Sequence, residues 1–178
     1  MLFPGGRLPL RIFEQRYMEM AKACLRDGSP FGVCLIREGA EVGAPATPSE
    51  VGTLARIASW DMPQLGVLHV SARGERRFRL RERTVQADGL SVGKVEFIAA
   101  DADHAVPENL APAVKLLERV IEQHPELLAR PYRLDSCSWV SARLAELLPL
   151  PLEAKQALLE MDDGKARLER LNALVRPD

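Results

Sequence analysis

The chain is poor in aromatic side chains, which make up 5% of its 178 residues. Single-stranded nucleic acid is usually held on stacked rings as well as charge, so this scarcity counts against such a surface. Cysteine is equally sparse: Cys24, Cys34 and Cys137 are widely spaced and odd in number. They fit neither a disulfide framework nor the paired spacing of a zinc site, and read as buried reduced thiols. Neither sign of charge is in excess, because the net charge is −1 and the pI is near 6.3. No long-range field therefore draws the molecule to nucleic acid or anionic lipid. No apolar run approaches the roughly 18 residues that span a bilayer, and the start shows no signal-like core. A cytoplasmic protein with no membrane role is expected. A phosphate-cradling Gly-x-x-x-x-Gly-Lys-Ser/Thr loop is also missing, since Gly164-Lys165 is followed by Ala166 and preceded by no glycine in register.

What is present is the composition of an ordinary globular protein, 47% hydrophobic and 28% charged. At this length it can bury a sizeable core in one or two units. Two hydrophobic periods divide it. From Phe31 to about Ile98 the pattern is that of short strands: Phe31–Ile36, Val51–Ile57, Gly66–Val70, Arg76–Val85 and Leu90–Ile98. Arg73-Gly74-Glu75 offers a tight reversal, and Asp88-Gly89 offers a primed hairpin turn that needs positive φ. Gly39–Glu50 reads as an exposed loop. One helix interrupts early, where Tyr17, Met20, Ala21, Cys24 and Leu25 recur at helical spacing before Asp27-Gly28. From Asn109 the period turns helical, with Leu110, Val114, Leu117, Val120 and Ile121 as one stripe. Asp135-Ser136 offers an N-cap to the helix holding Trp139 and Leu144, Pro151 can start the next, and Asp162-Asp163-Gly164 reads as the turn before the last. The expected fold class is α+β: a mostly antiparallel barrel or sandwich with one embedded helix, residues 1–103, followed by a helical bundle, residues 104–178.

No catalytic cluster is evident. His69, His104 and His124 fall in a strand, a linker and a helix end, without metal-ligand spacing. Cys34 lies inside an apolar strand, while Cys137 near a helix start has the better position for a thiolate but no identifiable base. No catalytic residue, metal ligand or cofactor is therefore assigned. Arg77, Arg79, Arg81 and Arg83 alternate, and period two places all four on one strand face opposite Phe78 and Leu80. Such a face either meets phosphate or acidic peptide, or is a solvated surface paired with groups such as Glu96. Trp60 to Gly66 reads as a loop whose Trp60, Met62 and Leu65 either anchor on the core or contact extended polypeptide. Phe13 and Tyr17, four residues apart, either line the same groove or pack the first helix on the sheet.

The opening Phe3-Pro4-Gly5, followed by Leu8-Pro9-Leu10 and Ile12-Phe13-Glu14-Gln15-Arg16-Tyr17, resembles the start of the Lon protease N-terminal domain family. The resemblance continues in family order through Phe31–Gly39, Val51–Ile57, Gly74-Glu75-Arg76-Arg77-Phe78, Leu144–Leu150, Lys155–Glu160 and Arg167–Leu171. One departure is at the start, where Met1-Leu2 leaves little room for the short strand that members carry before Phe-Pro-Gly. The resemblance implies a PUA-like β domain followed by a helical segment. It also implies a non-enzymatic, stand-alone polypeptide-binding domain lacking the family's ATPase and peptidase regions. Its expected partners are unfolded or extended polypeptide and a protease system. Phe13, Tyr17, Trp60, Met62 and Leu65 are the candidate contact residues. The alternative is an RNA-binding PUA-like module using the arginine face; a hydrolase would require a polar cluster in a cleft.

Overall fold

A computed structural model describes residues 1–40 and 42–175. Glu41, inside the stretch expected to be loop, and residues 176–178, at the end of the expected helical segment, lie outside the described residues. The chain divides into two compact units, Met1–Ile98 and Ala99–Asp178.

Unit 1 runs β1 (Arg7–Ile12), α1 (Gln15–Asp27), β2 (Phe31–Glu38), β3 (Thr47–Gln64), β4 (Val67–Val85) and β5 (Ser91–Phe97). All its strand pairings are antiparallel, in the order β1-β4-β3-β2 with β5 also on β4. The expected barrel or sandwich does not form. The described residues form one open sheet, because β3 and β4 are 18 and 19 residues long and act as a shared spine on which shorter strands pair in sections. β2 covers β3 only as far as the Phe31–Ala55 pair, β1 covers Leu68 to Arg73 of β4, and β5 covers Phe78 to Val85. β1 and β2 end opposite flanks without meeting.

Two expected breaks are strand instead. Arg73-Gly74-Glu75 makes no reversal; β4 runs straight through it. Gly74 is there for close approach: its N–H donates to Gly6 and its carbonyl accepts from Gly5 at 2.9 and 2.8 Å, and a Cβ would lie 2.3 Å from the Phe3 carbonyl oxygen. Trp60 to Gln64 is the end of β3, so only Leu65-Gly66 turns. β3 also begins at Thr47, inside the expected loop. The hairpin at Asp88-Gly89 does form, but only Gly89 has positive φ (84°), so the turn is not a primed one. Gly89 N–H donates to the Gln86 carbonyl and Leu90 N–H to the Asp88 carboxylate, giving a five-residue connection closed by one left-handed residue.

The core of this unit joins Leu68, Val70 and Ala72 of β4 to Ile12, Phe31 and Ala55, with Met18, Ala21 and Cys24 of α1 set against them. Burying each large side chain contributes about 1.5–3 kcal/mol before cavity effects. The expected stripe holds at Tyr17, Met20, Ala21 and Cys24, which pack on the core, while Met18 joins them and Leu25 is exposed. Arg16 is buried as well. Its guanidinium pairs with Glu14 at 2.9 Å and donates to the Gly89 carbonyl at 3.0 Å, tying the β4–β5 turn to the helix start.

Unit 2 contains α2 (Ala111–Gln123), α3 (Cys137–Leu147), α4 (Leu152–Glu160) and α5 (Gly164–Val175). Ser136 caps α3 by accepting from Trp139 N–H at 3.1 Å, and Asp163 caps α5 by accepting from Lys165 and Ala166. Leu110, Leu117, Val140, Leu144, Leu158, Leu168 and Leu171 form its interior. Arg167, nearly inaccessible, crosses that interior.

Candidate functional site

Three strands of unit 1 form an arm: β1, the end of β3 and the start of β4. Its pairing aligns residues in rows across the sheet. Leu10, Val70 and Trp60 share one row; Arg11, His69 and Asp61 share the next; Pro9, Ser71 and Ser59 share the third. These nine residues line an open groove of about 410 Å³. Arg7 Nε donates to Ser71 Oγ at 2.8 Å at its side.

The large apolar side chains at the end of the arm are uncovered. Trp60 is 56% exposed, Met62 37% and Leu65 93%. Phe13, at 53%, immediately follows Ile12, which pairs with Leu68; it therefore leaves β1 level with the Leu65-Gly66 turn. Tyr17 is not part of this group: it is half-buried against the core, with the Arg16 guanidinium 4.7 Å from its ring centre. The row partners Leu10 and Val70 have no local mark as contact residues in the sequence, because only strand register brings them beside Trp60. Backbone groups at this end are partly capped. Asp61 Oδ1 accepts from the Met62 N–H at 2.8 Å, and Pro63 has none to offer. The outer edge of β3 from Ile57 to Asp61 pairs with no strand among the described residues.

The expected four-arginine face does not form. Arg77 is buried, 3% exposed. Leu80 pairs with Val95 and Glu82 with Lys94, so Arg81 is an extra residue in the ladder and every side chain beyond it changes face. Arg83 consequently lies on the face of Leu80, opposite Arg79. The exposed members have partners: Arg79 with Glu50 at 3.8 Å, Arg81 Nε with Glu96 at 2.8 Å, and Arg83 Nε with Ser91 Oγ at 3.1 Å.

The thiols and histidines are equally dispersed. Burial pushes the Cys34 thiol up to about 11, from an ordinary value of 9.0, and Cys137 is raised for the same leading reason despite Lys165. At neutral pH the thiolate fraction at Cys34 is then about 100-fold below that of an exposed thiol. We expect iodoacetamide to alkylate Cys34 in the folded protein roughly 100-fold more slowly than in urea, measured by peptide mass spectrometry; equal rates would contradict the burial. His124 Nδ1 lies 3.3 Å from Glu126, His69 faces solvent, and the His104 carbonyl accepts from Cys137 N–H. Among the described residues no three His, Cys, Asp or Glu side chains gather as a metal site.

Unit 1 thus presents uncovered apolar side chains and an open groove, and among the described residues no metal-binding cluster is assembled. The ATP-dependent protease La (LON) substrate-binding domain family matches residues 1–176, and the chain belongs to that family. It is 33% identical to Lon protease 2 of Myxococcus xanthus over 97% of this chain, covering 22% of that protein. It thus spans about a fifth of the length of the curated relatives it matches first. A crystal structure of a Lon N-terminal domain protein from Xanthomonas campestris is 38% identical, with a TM-score of 0.81, covering 99% of this chain and 94% of that one. The N-terminal domain of Mycobacterium avium complex Lon protease, 18% identical with a TM-score of 0.63 over 96% of this chain and 90% of its own, shares the fold. Family membership supports a role in substrate recognition.

Proposed function

We propose that the chain recognises extended or unfolded polypeptide in the cytoplasm, for a protease system, through the end of the β1–β3–β4 arm. The observation that carries this reading is the exposure of Trp60, which lines the groove, together with that of Met62, Leu65 and Phe13 at the neighbouring strand ends. Apolar client side chains would bury against these, and the client backbone would pair with the open β3 edge between Ile57 and Asp61. Main-chain pairing gives affinity with little sequence demand, as suits a receptor of varied clients. Tyr17 serves this surface by seating α1 rather than by touching the client. The PUA-like character of unit 1 belongs to the same reading, as an open antiparallel sheet with α1 packed on its core.

The chain itself needs no catalytic group for this role, and RNA binding by the arginine strand loses its physical basis with the broken face. Fluorescence anisotropy with a labelled unfolded polypeptide and a single-stranded RNA separates the two. Polypeptide affinity should change by less than about threefold between 50 and 200 mM salt, because apolar burial releases few counterions, whereas six to ten phosphate contacts would lose roughly 10³–10⁵. Absence of polypeptide binding, or binding that collapses with salt, would remove the proposal.

A further inference from the structure

We propose that β5 is a self-association edge, on which a second copy of this chain adds its own β5 antiparallel, about a twofold axis at Val95. The strand is unusual in being exposed along its whole length from Ser91 to Phe97. One ladder, to β4, occupies one of its edges; no strand pairs with the other among the described residues. The apolar side chains Val95 and Phe97 are 36% and 54% exposed. Open edges are normally blunted. The end of β3 beyond Asp61 carries Pro63, irregular register and the Asp61 cap on Met62, whereas β5 carries only the charges of Lys94 and Glu96.

The direction of the free peptide groups follows from both ends of the β4–β5 ladder. Ile98 N–H donates to the Arg77 carbonyl and Gln86 N–H to the Leu90 carbonyl, so the even-numbered residues face β4. Gly93, Val95 and Phe97 then direct their N–H and C=O groups outward. With the axis at Val95, the two copies exchange both hydrogen bonds between their Val95 residues. The same register sets Gly93 opposite Phe97 of the other copy and pairs Val92 with Ile98. Charge selects this register. Lys94 meets Glu96 of the other copy twice, on the face where Lys94 and Glu96 already join Glu82 and Arg81. An axis one residue earlier would oppose Lys94 to Lys94. Lys94 guards the edge against general strands, and Glu96 turns that guard into a match for its own copy.

Seven residues a side bury less than the roughly 800 Å² per partner of a standard interface, so the dimer should be dissociable and concentration-dependent. Sedimentation velocity on the full chain, from about 5 to about 500 µM, tests this range of affinities. Val95→Pro removes only the outward N–H, a change an edge strand tolerates, and Val95→Lys sets two ammonium groups across the axis. We expect a dimer fraction that grows with concentration in the parent and an apparent Kd at least roughly tenfold weaker in both variants, with unfolding temperatures near the parent's. If Val95→Pro fails to fold, Val95→Lys alone decides. A parent that stays monomeric, or a dimer that Val95→Lys leaves intact, overturns the proposal. So does a monomer whose polypeptide uptake is lost in the Val95 variants, which would give this edge to a client strand.

Discussion

Arg167→Ala should cost about 3–5 kcal/mol and lower the unfolding temperature of unit 2 by more than about 10 °C. The side chain is 3% exposed and its guanidinium joins α3, the end of α4 and Asp101. Nε donates to Ser141 Oγ of α3 at 3.1 Å, and Nη1 to the Met161 and Leu158 carbonyls at 3.2 and 3.4 Å. Those carbonyls belong to the last turn of α4, so a cation from α5 sits where the α4 dipole is negative and its carbonyls lack intrahelical partners. Nη2 pairs with Asp101, itself nearly inaccessible. Truncation would strip the α4 end of these donors and leave the Asp101 carboxylate buried without this cation, which is why the loss should exceed that of an ordinary large-to-small change. Arg167→Lys keeps the charge but loses the fork, since one ammonium cannot address Ser141, Asp101 and the α4 carbonyls together. It should recover less than half of the loss. Thermal and urea unfolding of the two variants checks this; a cost below about 1 kcal/mol for the alanine would mean that the network contributes no more than a surface pair.

Features written in neighbouring residues were legible in the sequence. Ser136 could be read as a cap because a cap acts within one turn, and Asp88-Gly89 could be read as a hairpin because its partners are a few residues away. Features set by distant chain were not. Gly74 looks like a turn residue, and only the Phe3 carbonyl pressed against it explains the glycine inside a long strand. Pro63 likewise suggests a loop, whereas it occupies a strand edge, where the missing N–H costs nothing. Period two implies the arginine face, but Arg77 is buried and one extra residue at Arg81 turns Arg83 away; a bulge leaves no local mark in Arg-Leu-Arg-Glu-Arg. Arg167 stands in the sequence only as part of a family-like Arg-Leu-Glu-Arg-Leu run, because its four partners converge from α3, the end of α4 and Asp101. For the candidate site, Trp60, Met62 and Leu65 stand out in the sequence as apolar groups among turn formers, but the groove that Trp60 lines depends on the register of three strands.

Trp60→Ser combined with Leu65→Ser should weaken polypeptide binding more than about 100-fold while leaving the fold in place. The two halves of that expectation rest on the same numbers. Trp60 and Leu65 leave 56% and 93% of their surface to solvent, so replacing them removes little that folding buried. A client that covers them would bury most of that surface, and loss of a central aromatic with a neighbouring aliphatic anchor typically costs 2 kcal/mol or more each, hence the factor of about 100 or greater. Substitutions that disturbed the core would show the reverse: Val70→Ser, one strand away in the same row as Trp60, should lower stability strongly because Val70 is buried. The contrast separates contact from scaffold. Tyr17→Ser should follow the Val70 pattern, since Tyr17 packs on the core, and Phe13→Ser the Trp60 pattern. Anisotropy and thermal unfolding of the same samples read both quantities. Unchanged affinity in the double variant at unchanged stability would move the client site away from the end of the arm, because no other consequence of removing two exposed apolar groups could restore binding there.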